Sequence, residues 1–141
     1  SVHTLDSDGA LRHQEFLHDG GDDPRPAFAT SLVAALGDAG PILVYSGYEG
    51  ARLRELAAAV PALSSQLRFI ADGRLVDLLQ LARAYCYHPE FHGSFSIKAV
   101  LPALAPHMGY GDLAINDGTL AAMAYAEMVA SAELLHPINY A

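Results

Sequence analysis

The stretch ILVYSGYEGARLRELAAAVP, residues 42 to 61, constrains this chain more than any other. Ile42, Leu43 and Val44 follow a Gly40-Pro41 turn as a short apolar run without alternation, the pattern of a strand covered on both faces. The chain then turns helical at once. Leu53, Leu56, Ala57 and Val60 fall on one stripe, Arg52, Arg54 and Glu55 fall elsewhere, and Pro61 ends the run. A strand that hands over directly to an amphipathic helix belongs to a layered α/β architecture. RLVDLLQLARAY, residues 74 to 85, repeats the device: a brief apolar strand runs into Asp77 at the start of a further helix.

The flanking segments fit the same class. Residues 2 to 17 read as a β-hairpin around Ser7, Asp8 and Gly9, because Asp-Gly tolerates the positive φ of a tight turn. Asp23, Pro24 and Pro26 prepare a helix in which Phe28, Leu32 and Leu36 recur every four residues until Gly37 stops it. CYHPEFHGSFS, residues 86 to 96, is a loop dense in aromatics and histidines. Ser94 or Ser96 can cap the next helical piece, and Pro102 is expected to kink or end it. After a turn at Asn116, Asp117 and Gly118 comes a helix rich in Ala and Met. It is apolar nearly all round, so it is either deeply packed, with Met123 and Met128 as core, or covers a partner. The expectation is an α/β fold over residues 1–141, a single domain whose opening hairpin joins a mixed sheet flanked by helices.

Composition narrows the function classes. A chain of 141 residues with 52% apolar side chains can bury a core of its own. Its 16 acidic and 8 basic residues give a formal charge of -8, which repels nucleic acid at long range unless metal ions or a local basic patch intervene. The single cysteine, Cys86, excludes an internal disulfide and suits a reducing compartment, so a cytoplasmic location is expected. No apolar run approaches the roughly 20 residues that span a bilayer, and no membrane association is expected. The opening at Ser1 suggests a piece of a longer protein.

The chemistry concentrates where strand meets helix. Carboxyl ends of strands in α/β sheets gather ligands, because helix N-termini point their amides there. Glu49 stands at such a place, and Asp77 at another. Each has a plain alternative: Glu49 favours the positive end of its helix, and Asp77 caps the next. Together they could supply oxygen ligands to Mg²⁺ or Mn²⁺. Asp117, opening the last helix, is a third candidate or a simple N-cap. His88, His92 and Lys98 either place positive charge near a phosphate or lie solvated. Cys86, His88 and His92 lack the fourth ligand of a structural zinc site and the orienting acid of a thiol nucleophile. Tyr85, Tyr87, Phe91 and Phe95 read as core and loop packing.

SVH with HQEFL, DPR, LVYSGYE with RLRELA, RLVDLL, YHPEFHGSFSIKAVLPAL and the later INDG together resemble a bacterial family, domain of unknown function 2779. The block from Gly93 to Leu104 is the most specific part. The resemblance implies a ribonuclease H-like fold and similarity to exonucleases with four metal-binding carboxylates. VYSGYE is similar to their second motif, with Glu49 as the acidic metal ligand and the one carboxylate that the resemblance matches; Asp77, read above as a second metal ligand, and Asp117 and Lys98 join it as catalytic candidates. Two Mg²⁺ or Mn²⁺ ions would serve phosphodiester hydrolysis of 3′-5′ exonuclease type. Tyr45, Ser46, Tyr48, His88, His92 and Ser94 would contact nucleic acid, a single-stranded end in particular.

The pattern is incomplete. The first motif, Asp-x-Glu on an opening strand, should precede the hairpin, and the last Asp should follow about residue 130, where only Glu133 is available. The isolated chain is therefore expected to be inactive, with the activity residing in the parent protein. The alternative is a noncatalytic ribonuclease H-like module that binds or scaffolds. An exposed sheet edge left by the missing strand would favour a homodimer.

Overall fold

A computed structural model of the chain describes residues 1–107 and 118–135. These divide into two compact units. The first joins residues 1–17 to residues 24–87; the second joins residues 18–23 to the described residues from His88 onward.

The first unit opens with β1 (Val2–Leu5) and β2 (Leu11–Gln14). They pair antiparallel, with Val2 opposite Gln14 and Leu5 opposite Leu11. Gly9 takes φ 82° in the turn, which Asp6 closes by bonding Ala10 and Gly9 through its backbone. The hairpin foreseen in the sequence is therefore present. It does not join a larger sheet, however. Among the described residues there are two separate two-stranded sheets, the hairpin and a parallel pair. The hairpin packs on the first helix, α1 (Arg25–Leu36), through residues such as Val2, Phe16 and Phe28. Its strands thus bond only each other.

In α1 the residue most deeply buried is Ala29, while Phe28 stays 40% exposed. Leu32 and Leu36 pack against the core as their spacing predicts, joined by Ala29 and Val33 one residue on, so the buried stripe is wider than the every-fourth pattern and Phe28 lies at its edge. Gly37 ends the helix with φ 56°. β3 (Ile42–Val44) follows and runs parallel to β4 (Leu75–Asp77), with Ile42 opposite Leu75 and Val44 opposite Asp77. Between them lie α2 (Tyr48–Ala59), a single 3-10 turn (Pro61–Leu63) and α3 (Ser64–Gly73).

The core is built where these helices meet. Leu53, Leu56, Ala57 and Val60, the stripe visible in the sequence, close on Leu67, Ile70 and Ala71 of α3. Gly50 keeps α2 close to the sheet, since a Cβ there would stand 3.3 Å from Leu75 Cδ1. β3 is not covered on both faces, contrary to its apolar pattern: Leu43 is 64% exposed. A three-residue strand with one neighbour and helices packed to one side leaves its other face open.

Arg74, buried just before β4, ties this unit together. Its guanidinium donates to the carbonyls of Leu36, Gly37, Ala39 and Gly40 at 2.5 to 2.9 Å. The C-terminal end of α1 carries partial negative charge, so the cation is stabilised there without a carboxylate. One side chain thereby fixes the loop that delivers β3.

α4 (Leu78–Tyr85) leaves β4 without a loop. In the second unit, a 3-10 turn at Pro89–Phe91 precedes α5 (Ile97–Leu104). Ser96 caps α5 through its Oγ, which accepts from Lys98 N, while Ser94 Oγ accepts from Ser96 N. Pro102 is accommodated within α5, which ends two residues later. Phe91 is 2% exposed and meets Phe95 edge-on at 5.7 Å. Tyr85 and Tyr87 are instead open to solvent rather than packed. α6 (Gly118–Leu135) is helical as its composition predicts; its residues 121–127 are exposed, Met123 among them, while Met128 and Val129 are half-buried. Among the described residues no helix is long and apolar enough to cross a membrane.

Candidate functional site

The seam at residues 45–49 is shaped by two neighbouring strand ends. β3 and β4 are parallel and in register, so Val44 and Asp77 finish side by side and both chains turn into helices at the same end. Asp77 closes β4 and caps α4. Its Oδ1 accepts from Leu79 N at 2.9 Å and, across the seam, from Ser46 N at 3.0 Å. A single carboxylate oxygen therefore satisfies one orphan amide of its own helix and one of the facing turn.

Ser46 pays for this placement in backbone conformation, with φ 108°. Such a conformation is rare outside glycine and stores about 1–3 kcal/mol. The Ser46 side chain returns to the turn, its Oγ accepting from Tyr48 N at 3.3 Å. Gly47 stands at the N-cap of α2, and Glu49 lies exposed in its first turn. Tyr48 is also exposed, and the Arg52 guanidinium lies 5.3 Å from its ring centroid. Tyr45 is partly buried. Burial raises its phenol above the ordinary tyrosine range, the Arg83 guanidinium lowers it, and the Asp77 carboxylate adds to the rise.

Of the residues singled out in the sequence, Tyr45, Ser46, Tyr48, Glu49 and Asp77 all belong to this seam or its helix starts. His88, His92, Ser94 and Lys98 belong to the second unit. There His88 Nδ1 accepts from Glu90 N at 3.3 Å, a capping role that leaves Nε2 to carry the proton of the neutral ring. His92 adopts the left-handed conformation with φ 48°, and its ring lies 3.8 Å from the Glu90 carboxylate. Lys98 is exposed at the start of α5. Asp117 lies outside the described residues. Sequence reasoning passed over Arg83, whose only local signal was a basic residue in the last turn of α4.

The donor set suits a hard divalent cation only in part. Asp77 commits Oδ1 to two amides, while Glu49 offers an exposed carboxylate. Among the described residues no group of three His, Cys, Asp or Glu side chains gathers closely enough to hold an ion. The seam can thus contribute two carboxylates, not a complete coordination sphere.

No curated protein and no solved structure matches the chain. A family profile does, over residues 1–96, a span that takes in both strand exits and the capped turn at His88. By that match the chain belongs to the family described as Domain of unknown function (DUF2779).

Proposed function

We propose that this chain is the central part of a ribonuclease H-like, metal-dependent nuclease, and that its seam supplies carboxylates to a Mg²⁺ or Mn²⁺ site of the parent protein. The observation that carries the reading is the pairing of strand exits. Asp77 ends β4 and Glu49 lies in the first turn of the helix that follows β3, so both stand at the carboxyl ends of adjacent parallel strands, where α/β folds gather their ligands. When bound, such ions activate water and stabilise the oxygens of a phosphodiester under attack. The chain's own part is narrower. Asp77 fixes the Ser46 turn, Glu49 presents a carboxylate to solvent, and Tyr48 offers an exposed ring to a terminal base.

A titration with Mn²⁺ followed by paramagnetic line broadening tests the reading. Broadening is expected to centre on the amides of residues 45–49 and 77–79 and to disappear in Glu49→Gln with the fold intact. Broadening spread evenly over surface carboxylates, or unchanged in Glu49→Gln, would remove the metal-site reading. In that case the noncatalytic module is the better account. The single neighbour of β3 specifically favours it, since among the described residues its other edge is unpaired and suits pairing with another chain.

A further inference from the structure

The outer face of the opening hairpin carries a pair of groups that the proposed nuclease reading does not use. His3 and His13 are directly opposite each other in the β1–β2 register. Their rings are stacked, 4.5 Å between centroids and 18° from parallel. Both are exposed, as are Leu5 and Leu11, the next pair on that face, whereas Val2 and Thr4, which alternate with them along β1, are half-buried. Among the described residues neither imidazole has a carboxylate or hydrogen-bond partner.

From this geometry we infer that His3 and His13 form a two-ligand site for a divalent transition cation of the zinc type. Neutral imidazole is the commonest protein ligand for such ions. Directly opposed residues of an antiparallel pair bring their Cβ atoms to about 4.5–5.5 Å. Small side-chain rotations then let one nitrogen of each ring converge on an ion at about 2.0–2.1 Å. The backbone is already fixed for this. The Asp6–Ala10 turn bonds close the hairpin, and the Arg12–Asp6 ion pair braces its end. Chelation therefore orders two rings and closes no new loop. Two imidazoles fill half of a tetrahedral sphere, leaving two positions for water or for ligands from another molecule. Oxygen-seeking Mg²⁺ is a poor fit to the same pair.

The test is a Zn²⁺ titration of the chain, with the imidazole resonances of every histidine resolved by nitrogen-15 NMR. His3 and His13 are expected to shift together on one saturating curve, ahead of the other histidines, with Mg²⁺ moving neither. Losing an outer-shell partner of a metal ligand already costs about 10–100-fold in affinity, so His3→Gln or His13→Gln should each weaken binding by at least that lower bound. Separate midpoints for the two rings in the unaltered chain, or a His3 response unchanged in His13→Gln, would overturn the site and leave a stacked pair of surface rings. The titration of the unaltered chain decides the matter even where a variant hairpin frays.

Discussion

At the scale of single residues, the seam shows how one side chain can set another's chemistry. Ser46 occupies a backbone conformation that glycine would adopt at lower cost, yet its amide meets Asp77 and its hydroxyl meets Tyr48 N. Strain of this kind persists only where surrounding bonds over-determine it. Tyr45, beside it, responds to the same surroundings. Burial holds its phenol neutral beyond the usual range, Arg83 opposes that shift, and Asp77 reinforces it. The folded-state value lies above the unfolded one. The corresponding stability is therefore fully present below about pH 10 and is lost as pH rises through the raised value. Denaturant unfolding across this alkaline window should show a steeper loss of stability for the natural chain than for Tyr45→Phe. Equal slopes would mean that the Tyr45 environment does not discriminate between phenol and phenolate. None of this was legible in the sequence, where Tyr45 and Ser46 were visible only as polar groups at a strand end. Positive φ at a serine and a hydrogen bond across 31 residues leave no local signature.

At the scale of elements, the sequence was most informative where the pattern was long and one-sided. The α2 stripe of Leu53, Leu56, Ala57 and Val60 is buried as its spacing requires, and the hairpin and both strand-to-helix exits stand where turn residues placed them. α3 was passed over, although Leu67, Ile70 and Ala71 carry helical spacing, because Pro61 and the serines after it resemble a loop. Short apolar runs were the weakest guide. Ile42 to Val44 reads as doubly covered, yet Leu43 faces solvent, because burial of a three-residue strand depends on neighbours that its own sequence does not encode. The exit at Asp77 offers the sharpest element-level prediction. Asp77→Ala removes an N-cap, worth about 0.5–2 kcal/mol, and strands the Ser46 amide, a further ~1–3 kcal/mol if it stays dry. Thermal and denaturant unfolding should therefore show a loss of roughly 2–4 kcal/mol. Asp77→Asn retains an acceptor and should lose much less. Glu49→Gln, exposed in the first turn of α2, should cost no more than the helix-dipole contribution of about 0.3–1 kcal/mol. A large loss for Glu49→Gln and none for Asp77→Ala would reverse these roles.

At the scale of the whole molecule, charge decides how a nucleic-acid substrate could approach. A formal charge of -8 opposes a polyanion, and the exposed Glu49 and half-buried Asp77 carboxylates at the seam add to that opposition locally. A nuclease of this composition must therefore recruit its substrate through divalent cations rather than through a basic groove, as ordinary counterion-release binding would require. The two kinds of binding differ in their dependence on solution conditions. For the proposed function, a single-stranded oligonucleotide should show no measurable association with the chain in EDTA at any ordinary salt concentration. Association should appear on adding Mn²⁺ and fall away in Glu49→Gln, whereas His13→Gln, on the outer face of the hairpin, should leave it unchanged. Fluorescence anisotropy of a labelled oligonucleotide checks all four conditions. Binding that persists in EDTA and weakens steeply with added salt would instead locate the contact at arginines and lysines, and would remove the seam from the account. Binding lost equally in both variants would point to a general dependence on fold rather than to the carboxylate at the exit of β3.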